Sequence, residues 1–338
     1  MKNLAKQTIR YTFRTLLSTF RRNGFGKAVF DEEMLEILSN DQRYSNKQWQ
    51  VTDKIFSICR RNLVNNEFWI PGVVRTVNVA RKYFSYLSAH DYSKELPFLD
   101  LGCGVFNPFG VSSVFYLNGQ KECWGLDQSG YDQNRAAEAI LDLIMHAAIQ
   151  PQDIQFSKIQ DSQNIISRVE DFPIEAVRMG RFSKALMKMG LRNDVCDIRE
   201  FNKKHPDILF GVVCSHTVLE HFLDTQECMR ALKNLSAPEA IHYHYIDFVD
   251  HRGYTQPNKY DWWSFLEVDR AEQDTLCNKL RCSEFRNCLE NAGFEIIKWE
   301  PETTELPAGL RRRLHSSWKD TSDEDLKTLR VSCVLRPR

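Results

Sequence analysis

A glycine-containing turn between a short apolar run and a helix constrains the fold of this chain most strongly. Residues 97–101, Pro-Phe-Leu-Asp-Leu, predict a buried strand that breaks at Gly102 and Gly104, and a helix is predicted from about Phe109. Such a unit leaves backbone N–H groups and a helix start uncovered, where a nucleotide-like ligand can bind. Because Asn107 replaces the third glycine of a dinucleotide-binding fingerprint, the turn argues against a nicotinamide cofactor.

The composition is that of a soluble globular protein with a sizeable core. The chain has 338 residues, of which 42% are hydrophobic and 27% charged. Lys and Arg number 45, as do Asp and Glu, so no overall field attracts nucleic acid, and we expect no nucleic-acid partner. The length fits one large domain with additions or two modest domains.

The cysteines and the apolar stretches bear on location. Ten cysteines are scattered without a Cys-x-x-Cys pair, which is typical of reduced thiols in a cytoplasmic protein. No apolar stretch reaches the roughly 20 residues that a membrane helix needs. Lys and Arg interrupt the N-terminus too often for a signal peptide, so we expect a cytoplasmic chain.

Residues 1–95 predict a helical N-terminal extension. Helices are predicted at 45–65 and 72–90, and residues 1–30 carry seven Lys and Arg interleaved with apolar residues at near-helical spacing. A basic amphipathic helix of this kind can lie on an anionic membrane surface, which would make the protein peripheral. It can equally pack on the main body, with Arg stems covering apolar area.

From residue 96 onward, strands alternate with helices, which predicts an α/β fold with a doubly wound, mostly parallel, seven-stranded sheet. We predict a domain over 96–338, interrupted by a helical insert at about 155–192. The strands are predicted at 97–101, 121–126, 193–197, 207–214, 240–248, 294–299 and 330–335. The main helices are predicted at 109–118, 132–147, 217–235 and 282–292.

Five segments in chain order resemble the class I S-adenosylmethionine-dependent methyltransferases, over roughly residues 95–300. Asp100-Leu-Gly-Cys-Gly104 matches the Asp-x-Gly-x-Gly motif, and Trp124-Gly-Leu-Asp127 ends the second strand with an acid. Val195-Cys-Asp-Ile198 is similar to the acid-bearing third motif. Ser215-His-Thr-Val-Leu-Glu-His221 resembles the fourth-strand motif Ser/Asn-x-x-x-Leu-Glu-His, and the segment at 280–296 resembles the late helix and strand.

The resemblance implies S-adenosylmethionine as the cofactor. In that family the glycines let the loop touch the methionine and ribose, and the first acid orders contacts to the methionine amino group. The acid of the third motif reaches the adenine amino group. A carboxylate at the end of the second strand can accept hydrogen bonds from both ribose hydroxyls. The predicted cofactor-binding residues are Asp100, Gly102, Cys103, Gly104, Asp127, Asp197, Ile198 and Ser215.

The chain departs from the family pattern in two places. Val105-Phe-Asn-Pro108 replaces the usual small residues after the second glycine, and the helical insert separates Asp127 from Asp197 unusually widely.

Methyl transfer to a hydroxyl needs a group that takes the hydroxyl proton. Methyl transfer is an in-line displacement, in which alignment and a dry cavity do most of the work. A general base is worth roughly 10²–10⁴-fold in rate. The candidates follow the fourth and fifth strands: His216, Glu220 and His221, of which the last two are predicted on a helix, and His251. The preferred base is His251 or His216.

The acceptor is expected near the end of the fifth strand. Asp247 and Asp250 come last on it, and Trp262 and Trp263 follow in an aromatic tract that can stack on a sugar ring or pack on the sheet. The string Ile-Asp-x-x-Asp-His-Arg resembles methyltransferase-domain proteins of bacterial glycan and polysaccharide assembly. We therefore expect a small polar acceptor, such as a saccharide hydroxyl.

Two histidines of this region have another interpretation, and no metal is expected. His242 and His244 share a strand face and are interpreted as hydrogen-bonded core histidines. No candidate ligands lie at metal-binding spacing on one helix, although a site built from His216, His251, Asp247 and Asp250 is an alternative.

Two other functions are weighed against the enzyme. One is a methyltransferase-like module that binds without catalysis or serves as a scaffold through residues 1–95. The other is an NAD(P)-dependent oxidoreductase. This chain lacks the third glycine that such an enzyme needs, and that function gives the Leu-Glu-His motif no role.

Overall fold

The computed structural model describes residues 73–156, 162–272 and 277–338. The helices predicted at 1–30 and 45–65 lie outside the described residues. Within the described part, no helix combines the length and the apolar character that crossing a membrane requires.

Within residues 73–156, 162–272 and 277–338, seven strands form one sheet in the order β3-β2-β1-β4-β5-β7-β6. The first five strands are parallel, whereas β7 runs antiparallel to both β5 and β6. This confirms the predicted doubly wound, mostly parallel sheet. The strands are β1 (Phe98–Leu101), β2 (Cys123–Asp127), β3 (Leu191–Val195), β4 (Phe210–His216), β5 (Ser236–Asp247), β6 (Phe294–Thr303) and β7 (Thr328–Pro337).

Helices surround the sheet, and short 3₁₀ turns occur at Pro151–Ile154, Leu219–His221, Ser264–Glu267 and Ser316–Trp318. The helices up to β4 are α1 (Val73–Leu87), α2 (Gly110–Leu117), α3 (Gln133–Ile149), α4 (Ser162–Glu170), α5 (Ile174–Arg178), α6 (Ser183–Lys188) and α7 (Ile198–Lys204). The later ones are α8 (Thr225–Asn234), α9 (Arg252–Thr255), α10 (Cys282–Asn291), α11 (Leu310–Arg313) and α12 (Asp323–Lys327).

Alternate residues of each strand feed two cores, because successive side chains point to opposite faces of a sheet. On one face Phe98 stacks on Phe115 of α2, with ring centroids 3.7 Å apart, and Tyr243 packs against Tyr83 of α1. The opposite face buries Leu99 with residues of α8 and α10. Helix α1, which the sequence assigned to the extension at 1–95, therefore packs directly on the sheet.

The continuous helix predicted over 217–235 is wrong. Thr217 has φ 55°, a left-handed conformation that a β-branched residue rarely adopts and that no helix tolerates. The chain instead forms the 3₁₀ turn Leu219–His221 and begins α8 only at Thr225. The Leu-Glu-His segment consequently lies in a loop at the carboxyl edge of the sheet.

Candidate functional site

The glycine turn after β1 adopts a conformation that needs its glycines. Gly102 has φ 70° and Gly104 has φ 82°, both in the left-handed region. A Cβ on Gly102 would lie 2.2 Å from Cγ2 of Val218, whereas no atom lies within 4 Å of the Cβ position of Gly104. The Gly102 N–H donates to the Leu126 carbonyl at 2.7 Å, which fixes the turn against β2. The second glycine therefore leaves open space beside bare main chain.

Asp127, at the end of β2, connects this turn to the next loop. Its Oδ2 accepts a hydrogen bond from the Gly104 N–H at 2.9 Å, and its Oδ1 accepts one from the Ser129 N–H at 2.9 Å. Each carboxylate oxygen has a further lone pair, so both can also accept from a ligand hydroxyl. This geometry suits the two hydroxyls of a ribose.

Asp100 lies beneath the turn and is 4% exposed. Burial, followed by the nearby Asp127 carboxylate, raises its pKa to about 8. A carboxyl group in this setting is ionised readily only when a cation approaches it. The contact of Asp100 with a methionine amino group stays a prediction, because Asp100 is not among the residues that line the neighbouring cleft.

A cleft of about 290 Å³ opens beside these residues, close to the lower end of the volumes typical of small-molecule sites. Gly102 and Asp127 line it, as do Asp197, Ile198 and His216. Asp197 caps α7 by accepting from the Arg199 N–H and forms an ion pair with the Arg199 side chain at 2.8 Å. The Arg199 hydrogen bond lowers the pKa of Asp197 below its usual value.

Cys103 and Ser215, both predicted to bind the cofactor, have protein partners for their side chains. The Cys103 thiol accepts a hydrogen bond from the Asn193 side chain at 3.2 Å, and burial raises its pKa well above the usual value. Ser215 is fully buried, and its Oγ lies 2.7 Å from Nδ1 of His244. Neither Cys103 nor Ser215 is among the residues that line the cleft described above.

His242 and His244 belong to a buried hydrogen-bonded chain, as their pattern predicted. Nε2 of His242 lies 2.8 Å from Oγ of Ser236, and Nδ1 of His242 lies 3.3 Å from Nε2 of His244. Burial lowers the pKa of both imidazoles, that of His244 to about 3. These two residues are hydrogen-bonded core histidines.

A second, small cavity, here called the acceptor cavity, has a volume of about 20 Å³, which is room for about one water molecule. It is lined by Glu220, residues 247–252, Phe265 and residues 277–280. The cleft reaches His221, the neighbour of Glu220, and the His221 and His251 rings lie 5.0 Å apart. We call Glu220, His221, His251 and Cys277 the junction, because they stand between the cleft and the acceptor cavity.

Glu220 is the most unusual polar group at the junction. It is 2% exposed, and neither carboxylate oxygen accepts a hydrogen bond of normal geometry from the described residues. Burial raises its pKa well above the usual value, and nearby backbone amides offset only part of the effect. Its Oε1 lies 4.0 Å from Nε2 of His251. A buried carboxyl group without a hydrogen bond of normal geometry is costly, so this position needs an explanation beyond packing.

Asn278 holds the junction in place and was not singled out from the sequence. Its N–H donates to the Glu220 carbonyl at 2.7 Å, and its Nδ2 donates to the Leu219 and Phe222 carbonyls at 3.0 and 3.3 Å. Cys277, also overlooked, is brought to the two histidines by this clamp. No local pattern around these residues could have indicated the contact, because it joins segments more than 50 residues apart.

The other predicted catalytic and substrate residues lie in three places, which are the acceptor cavity, the cleft and the protein interior outside both. Asp247 accepts from the Tyr254 hydroxyl at 2.6 Å, and Asp250 forms an ion pair with Arg252 at 2.6 Å, both at the acceptor cavity. His216 stands apart in the cleft, stacked on Tyr245 at 4.9 Å, and burial lowers its pKa to about 4.

The two tryptophans lie outside both cavities. Trp263 is 6% exposed and packs in a core with Trp318, while its Nε1–H donates to the Leu326 carbonyl at 2.8 Å. Trp262 is half-buried against the Tyr254 ring, with centroids 5.1 Å apart. Packing on the body of the domain, the alternative given for this tract, describes Trp263.

The sheet with its reversed β7, the glycine turn and the acids around the cleft define a class I methyltransferase, an enzyme whose cofactor is S-adenosylmethionine. The residues present fit that group, since the cleft is open, Gly104 leaves room, and no cation among the described residues lowers the pKa of Asp100. The sequence matches the methyltransferase-domain family over residues 76–298, and the chain belongs to that family. A search of the curated proteins finds no match.

The chain also resembles solved methyltransferase structures, at low identity and low TM-score. The S-adenosylmethionine-dependent methyltransferase of Clostridium acetobutylicum ATCC 824 has 10% identity and a TM-score of 0.41, covering 83% of this chain and 97% of its own. The S-adenosylmethionine-dependent methyltransferase of Anabaena variabilis ATCC 29413 has 16% identity and a TM-score of 0.39, and the match covers 85% of this chain and 95% of that protein. The CurJ carbon methyltransferase has 13% identity and a TM-score of 0.42, covering 96% and 79%. Likenesses this weak carry no argument about the acceptor.

Proposed function

We propose that this enzyme transfers the methyl group of S-adenosylmethionine to a hydroxyl group of a small polar acceptor, a saccharide, with the reacting hydroxyl placed at the acceptor cavity. The observation that carries the proposal is Glu220, a buried carboxyl group whose oxygens accept no hydrogen bond from the described residues at the wall between cleft and cavity. An acceptor hydroxyl placed there would supply the missing donor.

The wall of the acceptor cavity supports a polar acceptor. Asp247 and Asp250 offer carboxylate lone pairs, Arg252 offers guanidinium donors, and Phe265 adds an apolar surface. Such a mixture of acceptors, donors and a ring suits one hydroxyl-bearing edge of a saccharide, which has hydroxyls on its edges and C–H groups on its faces. The glycan role rests on this lining and on the sequence resemblance.

The step needs few groups. The cofactor supplies an electrophilic methyl carbon on sulfur. Asp100, Asp127 and the main chain of the glycine turn would hold the cofactor, which would donate that methyl group to the acceptor oxygen and keep the sulfur electron pair, and the Glu220–His251 pair would take the proton that the acceptor hydroxyl releases. His221 and Val218 wall the cleft beside the junction, which favours a dry and aligned approach.

A reducing compartment is proposed for the same protein. The nine cysteines among the described residues are all free thiols. Free thiols in this number support the cytoplasmic location that the sequence led us to expect.

Isotope-labelled S-adenosylmethionine, incubated with the enzyme and a cell extract, identifies the acceptor by the molecule that takes up the label. The variant Glu220→Gln should then lower kcat about 10²–10⁴-fold on that acceptor. Its affinity for S-adenosylhomocysteine should stay unchanged, because Glu220 is outside the cleft.

The matched control is Glu227→Gln, the same change on the exposed face of α8. Label on an amine or on a nucleic acid would contradict the proposed acceptor. Cofactor binding without label transfer to any molecule would favour the non-catalytic binding module. Equal rates for Glu220→Gln and wild type would remove the junction from the chemistry.

A further inference from the structure

Among the described residues, three potential metal ligands from distant parts of the chain converge at the junction. Nδ1 of His251 lies 3.6 Å from Sγ of Cys277, and Nδ1 of His221 lies 3.8 Å from the same sulfur. One ligating atom from each residue lies within 4.8 Å of the others. All three side chains are half-buried, so the three ligating atoms are partly shielded from solvent.

We propose that His221, His251 and Cys277 bind one divalent transition-metal ion of the zinc class. Zinc binds thiolate sulfur at about 2.3 Å and imidazole nitrogen at about 2.0–2.1 Å in a tetrahedral arrangement. Those bond lengths at a tetrahedral angle place nitrogen and sulfur about 3.5 Å apart. The two nitrogen–sulfur distances in the structure agree with this separation. Two imidazoles and a thiolate select zinc, or cobalt as its substitute, over magnesium or calcium.

Glu220 provides an independent observation. Metal-bound histidines usually direct their second ring nitrogen at a carboxylate, which fixes the ring and strengthens the ligand. His251 directs Nδ1 at the sulfur and has Nε2 4.0 Å from Oε1 of Glu220. The Glu220 oxygens are buried and accept no hydrogen bond of normal geometry from the described residues. With a metal bound to Nδ1 of His251, the Glu220 carboxyl group would hold the opposite side of the imidazole ring through Nε2.

The site has three protein ligands and one open position, which is the pattern of catalytic rather than structural zinc. His251, Cys277 and Glu220 line the acceptor cavity, so the open position faces the space where an acceptor oxygen is proposed. Asn278, adjacent to Cys277, clamps the turn that carries His221, which preorganises two of the three ligands. The inference rests on these distances and not on the identity of the acceptor.

The test is metal binding by the full chain in the absence of any acceptor. Protein freed of metal by a chelator is titrated with Zn²⁺ in competition with a chromophoric chelator, and separately with Co²⁺ under reducing conditions. We expect one Zn²⁺ per chain and, with Co²⁺, a thiolate-to-cobalt charge-transfer band. Cys277→Ser should remove the band, His221→Asn should abolish stoichiometric binding, and Glu220→Gln should weaken Zn²⁺ binding about 10–100-fold.

Cys288→Ser is the matched control, because Cys288 is a half-buried thiol on α10 that lines neither cavity. It should retain the wild-type spectrum and stoichiometry. Absence of a thiolate band in wild-type protein overturns the inference even if a variant fails to fold. Equal Zn²⁺ binding by wild type and Cys277→Ser also overturns it. A metal-free junction that still transfers methyl groups would leave the proposed function standing, so the two failures are distinguishable.

Discussion

Asp127→Asn tests the cofactor cradle most sharply. The carboxylate already accepts one backbone N–H on each oxygen, from Gly104 and Ser129, and we predict that it also accepts from both ribose hydroxyls. Asparagine has nearly the same shape but only one side-chain oxygen. Its amide nitrogen would face one of the two backbone N–H donors and cannot accept a hydrogen bond from it. The variant therefore removes the charge and one acceptor without opening a cavity.

The expected loss follows from the strength of a charged hydrogen bond. One such bond contributes about 1.5–3 kcal/mol, which corresponds to an affinity for the cofactor about 10–150-fold weaker. A second effect opposes the first. The charge of Asp127 helps to raise the pKa of Asp100, so removing that charge eases ionisation of Asp100. This moves the expected loss of cofactor affinity toward the lower end of the range of about 10–150-fold.

Calorimetry with S-adenosylhomocysteine measures the effect at equilibrium. Asp132→Asn is the control, because Asp132 caps α3 at the surface and asparagine caps equally well. This variant changes the net charge by the same amount and should bind like wild type. An unchanged dissociation constant for Asp127→Asn, or an equal loss in Asp132→Asn, would refute the assigned role.

Three further changes test the loop, the cleft and the junction. Gly102→Ala should lower the midpoint of urea unfolding more than Gly104→Ala, because it adds a clash with Val218 to the strain of about 1–2 kcal/mol that both share; equal midpoints would contradict this. Since the pKa of His216 falls from 6.5 to about 4, the unfolded chain binds the proton first, and stability is lost as pH falls below 6.5. His216→Gln should remove about 1–2 kcal/mol of that loss at pH 5, measured by denaturant titration, and an unaltered pH profile would count against it. Asn278→Ala should lower kcat while leaving S-adenosylhomocysteine affinity near wild type, and a loss confined to cofactor affinity would place the clamp elsewhere.

The sheet and the cofactor cleft were predictable because their signals are local. An apolar run followed by Gly102 and Gly104 predicts a strand and a turn within a few residues. The acid at the end of the next strand, Asp127, can meet that turn only if the strands are neighbours and parallel, as they are. The histidine pair on β5 was likewise interpreted correctly from its period of two.

The junction was predictable only in part, because long-range contacts build it. Glu220 and His221 were identified but assigned to a helix, since their sequence does not reveal the left-handed Thr217 before them. The clamp that shapes the turn comes from Asn278, more than 50 residues later. Cys277 had no motif to mark it. Residues whose role depends on a distant segment become visible only when the fold places that segment.

The aromatic tract shows the same limit. Tryptophan after a strand suits a sugar-binding wall or a packed core equally well, and the sequence leaves both open. The structure buries Trp263 because its indole N–H finds a carbonyl on the segment before β7, at Leu326. A buried indole needs such a partner. That partner lies 63 residues away, beyond the reach of pattern reasoning.

A crystal structure with S-adenosylhomocysteine bound is the most direct measurement of the central claim. We expect the ribose hydroxyls within hydrogen-bond distance of Asp127, the amino group near Asp100, and the sulfur directed toward Glu220 and the junction. An adenosine bound outside the cleft, or a sulfur directed away from the acceptor cavity, would contradict the account.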